Sequence, residues 1–218
     1  MSTSTAASGT VASGAVASGA VASGTVAADT ASRPRPARER VLAAAARRFY
    51  ADGIAATGID AVIAEAGVAK ASLYNNFGSK EALVAAYITA RHEEWLDLYR
   101  SRAEQATTPR ERVLAVFDAY LDHAAFEYER GFRGCGLLNA AAELPAGHPG
   151  RTAVRAHKEQ VESILLGHLA DLQVAAPERL ARHLSLLLEG GMMRAGLEGR
   201  DAVLTQAREL ATDLLDAP

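Results

Sequence analysis

From position 36 onward, apolar residues recur at three- and four-residue spacing, and no stretch alternates at a period of two. That spacing is the one at which a helix turns a single face to a core. The pattern predicts an all-α fold of about nine helices. The first covers 36–51, with Val41, Leu42, Ala45 and Phe49 inward. A second covers 59–66 on Ile59, Val62 and Ile63, and a short third covers 70–76. The fourth, 80–103, carries Leu83, Tyr87, Ile88 and Trp95. Behind it come a fifth from 109 to about 124, a short one at 137–144, and three more at 149–172, 177–198 and 201–215.

Punctuation along the chain supports these boundaries. Pro36 suits a first turn, where its missing N–H is no loss, and Gly53 offers a stop. Gly67 permits a left-handed turn between the second and third helices. Ser79 is placed to cap the fourth. Thr108-Pro109-Arg110-Glu111 is a capping box with proline at the first helical position.

Residues 1–34 have a different character. The unit Ala-Ser-Gly-Thr/Ala-Val repeats four times between Ala7 and Val26. Frequent glycine raises the entropy cost of ordering, and Ala and Val bury little area, so a disordered low-complexity tail is expected. It lacks the basic start and uninterrupted apolar run of a secretory signal.

Composition narrows the function classes. A chain of 218 residues fits one or two domains beyond the tail. Cys135 is the single cysteine, which excludes an internal disulfide framework or a CxxC zinc site and fits a reducing, cytoplasmic setting. No apolar run approaches the ~18 residues of a membrane span, so no membrane partner is expected. The six histidines show no i, i+4 pairing, and neither metal nor cofactor is expected.

Charge is divided unevenly. Net charge is −3, yet residues 33–80 hold eight Lys/Arg against four acids, while 81–218 hold fifteen against twenty-one. A basic head on an acidic body suits a polyanion-binding module. Two short helices joined by Ala66-Gly67-Val68 form a helix-turn-helix, whose second helix can enter a major groove.

The run from Ile59 to Leu83, with its Gly67-Val68 turn, Leu73-Tyr74-Asn75-Asn76-Phe77 segment and Ser79-Lys80 helix start, resembles the DNA-binding signature of TetR-family transcriptional regulators. The likeness covers about 37–95. It implies a DNA-binding head at 35–95, with the helix-turn-helix about 58–77, and a ligand-binding and dimerisation body at 96–218. Where the family often has Ser, Gly and His, this chain has Ala69, Ala71 and Asn76. Ala69 deprives the third helix of a side-chain cap, at a cost of ~1 kcal/mol.

Leu73 and Phe77 are expected to anchor the reading helix against the first helix near Phe49. Ala71, Ser72, Asn75 and Asn76 then remain for bases: asparagine pairs with adenine, and the alanine methyl meets the thymine methyl. Thr57, Lys70, Tyr74 and Lys80 are expected on phosphates, which fix register. Arg33, Arg35, Arg38 and Arg40 are read either as a solvated, dispensable linker or as an arm that touches the minor groove or backbone.

The body is expected to hold an unknown small-molecule effector among Trp95, Tyr99, Phe117, Tyr120, Phe126, Cys135, Asn139, His157 and Met192. A homodimer is expected through the last two long helices, whose Leu180, Leu184, Leu187, Leu188, Met192, Val203, Leu204, Leu210 and Leu214 exceed what one thin body would bury. The function so read is a sequence-specific regulator, a repressor released from a palindromic double-stranded operator by its effector. The alternatives are thiol or electrophile sensing through Cys135, a helical scaffold, and a helical enzyme built from Cys135, Glu143 and His157. The sequence offers no phosphate loop, nucleophile elbow or HExxH to support the enzyme.

Overall fold

The computed structural model describes residues 36–126 and 128–216. The expected disordered tail, and Arg33 and Arg35 of the expected arm, lie outside the described residues. Among the described residues there are nine helices and no strand. They are α1 (Ala37–Asp52), α2 (Ile59–Ala66), α3 (Lys70–Phe77), α4 (Lys80–Ala103), α5 (Pro109–Ala124), α6 (Gly136–Glu143), α7 (Pro149–Asp171), α8 (Pro177–Glu198) and α9 (Ala202–Asp216).

Helices α1, α2 and α3 pack on one another, and α1 and α3 also meet the start of α4. Their shared core is Val41, Ala44, Ala45, Phe49, Val62, Ala66 and Leu73, all buried. α2 ends because Gly67 takes φ 61, which lets the Val68 N–H reach back to the Ile63 carbonyl at 3.2 Å. Phe49 meets Tyr87 edge-on at 5.5 Å, which joins α1 to α4. Ser79 Oγ accepts the Ala82 N–H at 3.1 Å, so α4 has the expected cap.

At 24 residues, α4 is about 36 Å long and runs from the reading head into the body. α5 lies against it, and α7, α8 and α9 complete the bundle. The Thr108 capping box forms in both directions, with Thr108 Oγ1 accepting from Glu111 N and the Glu111 carboxylate accepting from Thr108 N. Side-chain ties fix the layers: Arg102 grips Asp122 between α4 and α5, and Arg208 Nε donates to Asp118 Oδ1 at 2.5 Å between α9 and α5. Among the described residues no helix is long and apolar enough to cross a membrane.

The leucines of α8 and α9 divide between two roles. Leu184, Leu188, Met192 and Leu204 lie in the core of this chain. Leu210 and Leu214 stay exposed, joined by Leu186, Met193 and Leu197, which were not among the expected dimer residues.

Candidate functional site

α3 is held on the head by its apolar side. Leu73 is fully buried, and the Arg38 guanidinium lies 5.3 Å from the ring centre of Phe77. This leaves Lys70, Ala71, Tyr74, Asn75 and Asn76 exposed along the opposite side, with Ser72 partly so. Lys70 Nζ rests 3.0 Å from Asp60 Oδ1 at the start of α2, and the hydrogen bond to that carboxylate raises its pKa. Asn76 donates its amide to the Ser72 carbonyl at 2.7 Å, so its side chain lies back along the helix. The basic residues nearer the core brace the head itself: Arg40 donates to the Gly67 carbonyl, and Arg47 and Arg48 both hold Glu65 of α2.

Two residues expected on phosphate stand differently. Thr57 is only 3% exposed, and its hydroxyl donates to the Gly53 carbonyl at 2.6 Å. Its side chain therefore closes the α1–α2 turn rather than facing outward. Lys80 donates to the Ile54 carbonyl at 2.6 Å, which spends one of its three N–H groups inside the head. Arg38 and Arg40 are part of α1, not of an arm ahead of it.

The head is clamped to the body by residues the sequence reading did not single out for that role. Glu143, at the end of α6, accepts the Ile54 N–H at 3.0 Å and the Ala55 N–H at 2.7 Å. Tyr50 of α1 donates its hydroxyl to the Gly134 carbonyl at 3.1 Å and accepts the Arg133 N–H at 2.6 Å. The Arg133 guanidinium closes the clamp on the last carbonyls of α1, at 2.6 Å from Tyr50 O and 2.8 Å from Ala51 O. Gly53 has a local reason to be glycine: φ is +92, and a Cβ there would lie 2.9 Å from Glu143 Oε1.

The expected effector residues fall into several groups. Trp95, Tyr120, Cys135 and His157 surround one small void of about 20 Å³, room for about one water. His157 is buried, and its Nδ1 lies 2.9 Å from Nδ1 of His92. Burial, with Lys158 and the other histidines nearby, lowers its pKa to about 3. Tyr99 stacks on Trp95, and its hydroxyl pairs with His168 at 2.6 Å. Phe117 and Met192 are packed core. Asn139 donates to the Arg133 carbonyl and borders a separate cleft with Met193 and Leu197. Phe126 lies at a different cavity, beside α1. Cys135 is buried at the start of α6.

A family model, that of bacterial regulatory proteins of the tetR family, matches residues 41–87. A search of the curated proteins found no match. Among solved structures, a TetR-family transcriptional regulator from Streptomyces coelicolor is 31% identical, with a TM-score of 0.76, over 83% of this chain and 94% of that one. The chain belongs to the TetR family.

Two further TetR regulators are similar. One from Streptomyces avermitilis is 29% identical over 84% of this chain and all of that one, with a TM-score of 0.70. One from Chloroflexus aurantiacus is 27% identical over 83% and 94%, with a TM-score of 0.68. The TetR model spans most of α1, all of α2 and α3, and the start of α4. The clamp residues Arg133, Gly134 and Glu143 lie beyond it. A TetR-family chain is a DNA-binding transcriptional regulator, and here the segment that matches the family model is the one that presents α3 to solvent.

Proposed function

We propose that this regulator reads a palindromic operator as a homodimer through α3 and is a repressor released by a small-molecule effector. The observation that carries the reading is the exposed side of α3, where the Ala71 methyl faces solvent and Asn75 has no intramolecular side-chain hydrogen bond among the described residues, beside the basic Lys70. Ala71, Ser72 and Asn75 have the chemistry for base edges. Asn76 joins them once it gives up its bond to Ser72. Lys70, Tyr74 and the remaining Lys80 N–H groups are phosphate contacts, with the first turn of α4 beside them.

Leu186, Gly190, Met193 and Leu197 follow one another at spacings of four, three and four, which makes one continuous face of α8. Leu210 and Leu214 supply a second face on α9. A two-fold pairing of these faces buries them and sets two heads about one helical turn of DNA apart, ~34–36 Å. Effector binding then changes the head spacing. A coupling of ~1–3 kcal/mol weakens operator affinity about 5- to 150-fold. The protein works in the cytoplasm, and its output is occupancy of DNA rather than turnover of a substrate.

Selection of bound duplexes from a random pool, followed by fluorescence anisotropy, tests the reading. The expected result is an inverted-repeat consensus with binding that weakens steeply as salt rises. Equal affinity for consensus and scrambled duplexes would remove it.

A further inference from the structure

α1 has a second face. Val41, Ala44, Ala45 and Phe49 turn toward the head core, while Ala43, Ala46, Arg47, Tyr50 and Ala51 line a cavity of about 250 Å³. The opposite wall comes from Arg91 on α4, His123 on α5 and, after α5, Phe126, Tyr128, Glu129, Arg130 and Gly131. Three alanines on a helix face opposite aromatic side chains leave a gap that larger apolar residues would fill. Tyr50 and Tyr128 stack at 4.4 Å, and Phe126 remains 39% exposed.

The charges at this cavity are mostly engaged. Arg47 holds Glu65, and Arg130 holds Asp52. Arg91 holds Glu94 through Nη1 at 2.7 Å, but its buried Nε has no acceptor among the described residues. Arg91 and His123 also border the small interior void, where the buried Trp95 Nε1 is likewise without an acceptor. Among the described residues, the guanidinium groups of Arg47, Arg91 and Arg130 and the carboxylate of Glu129 line the cavity itself. A site this size, below the ~300–1,000 Å³ of drug-sized pockets, takes a one- or two-ring molecule.

We propose that this cavity between α1 and the Phe126 and Tyr128 side chains binds a small aromatic carboxylate, with its ring among Tyr50, Phe126 and Tyr128 and its carboxylate on Arg91. Aromatic walls favour the ring, and Arg91, which lines the cavity and carries five N–H donors of which Glu94 engages Nη1, favours an anionic acceptor. The site deepens the regulator reading and rests on it for its consequence, because Tyr50 both lines the cavity and makes the two bonds to Arg133 and Gly134. A ligand that shifts the Tyr50 ring loosens α1 from the body, and with it the position of α3.

Calorimetric titration of the full chain with benzoate and naphthoate, against benzamide and naphthamide, tests the site. The expected result is saturable binding of the carboxylates and at least tenfold weaker binding of the amides. Arg91→Gln should weaken the carboxylates at least tenfold and leave the amides unchanged, and Arg91→Lys should restore part of the loss. Ala46→Leu should fill the cavity and abolish binding without lowering the melting temperature, which covers the case in which Arg91→Gln fails to fold. Absence of carboxylate binding to the folded chain, or binding unchanged in Ala46→Leu, overturns the proposal. Calorimetry requires no DNA, so the two readings fail separately. Carboxylate binding without operator recognition leaves the site and removes the regulator, while recognition without carboxylate binding removes the site alone.

Discussion

On α3, Lys70 and Asn75 are both exposed, yet they do different things. A lysine on phosphate releases counterions whatever the sequence, whereas an asparagine amide on an adenine edge discriminates between bases. Lys70→Ala is therefore expected to weaken binding to all duplexes alike and to lower the slope of log K against log salt by about one. Asn75→Ala should leave that slope in place and cost ~1–3 kcal/mol at one operator position, seen as relaxed preference in a base-substitution series. The residue types at these positions were legible from sequence because the helix-turn-helix spacing is local. The role of Thr57 was not. Its hydroxyl bonds to Gly53, and only the path of the chain around Gly53 shows that a polar side chain there turns inward.

Helix ends were legible for the same reason: a cap, a glycine or a proline acts within four residues of itself. The expected and observed bounds of α2, α4, α5 and α8 coincide, and those of the other helices differ by one residue at one or both ends. What one helix does to another is not written locally. Leu184 and Leu186 differ only in which side of α8 they occupy, yet one is fully buried and the other 64% exposed. Likewise Gly196 looks like a weak point in a helix. In the fold it lets α8 pass against the 133–134 backbone, where a Cβ would fall 2.5 Å from Gly134 N. Gly196→Ala should force α8 and that segment apart, at ~1–3 kcal/mol of overpacking. Denaturant midpoints should fall accordingly. Gly167→Ala on the exposed side of α7, with nothing near its Cβ position, should stabilise the chain slightly by helix propensity.

For the molecule as a whole, two measurements report on its assembly and its interior. Met193→Glu with Leu197→Glu puts carboxylates on the exposed α8 face, so light scattering should show a monomer, and binding to the full operator should fall toward that of a half-site. Burial lowers His157 to about 3, and burial with Arg91 and Lys158 lowers His123 to about 4, against about 6.5 in an open chain. Below about pH 6.5 the unfolded chain takes up protons that the folded one refuses. Stability is then level above that pH and falls from there toward pH 4, by about 1–2 kcal/mol for each histidine at pH 5. Melting curves should show the decline, and His157→Gln should make it shallower.

The clamp made by Tyr50, Arg133 and Glu143 bears on any attempt to treat the first four helices as a transferable cassette. Cut out alone, they would leave the Ile54 and Ala55 amides without the carboxylate that receives them and the end of α1 without its guanidinium. A chimera that grafts this reading head onto a foreign sensor would have to carry the 131–143 stretch along with it, or supply an equivalent acid and arginine from the new host.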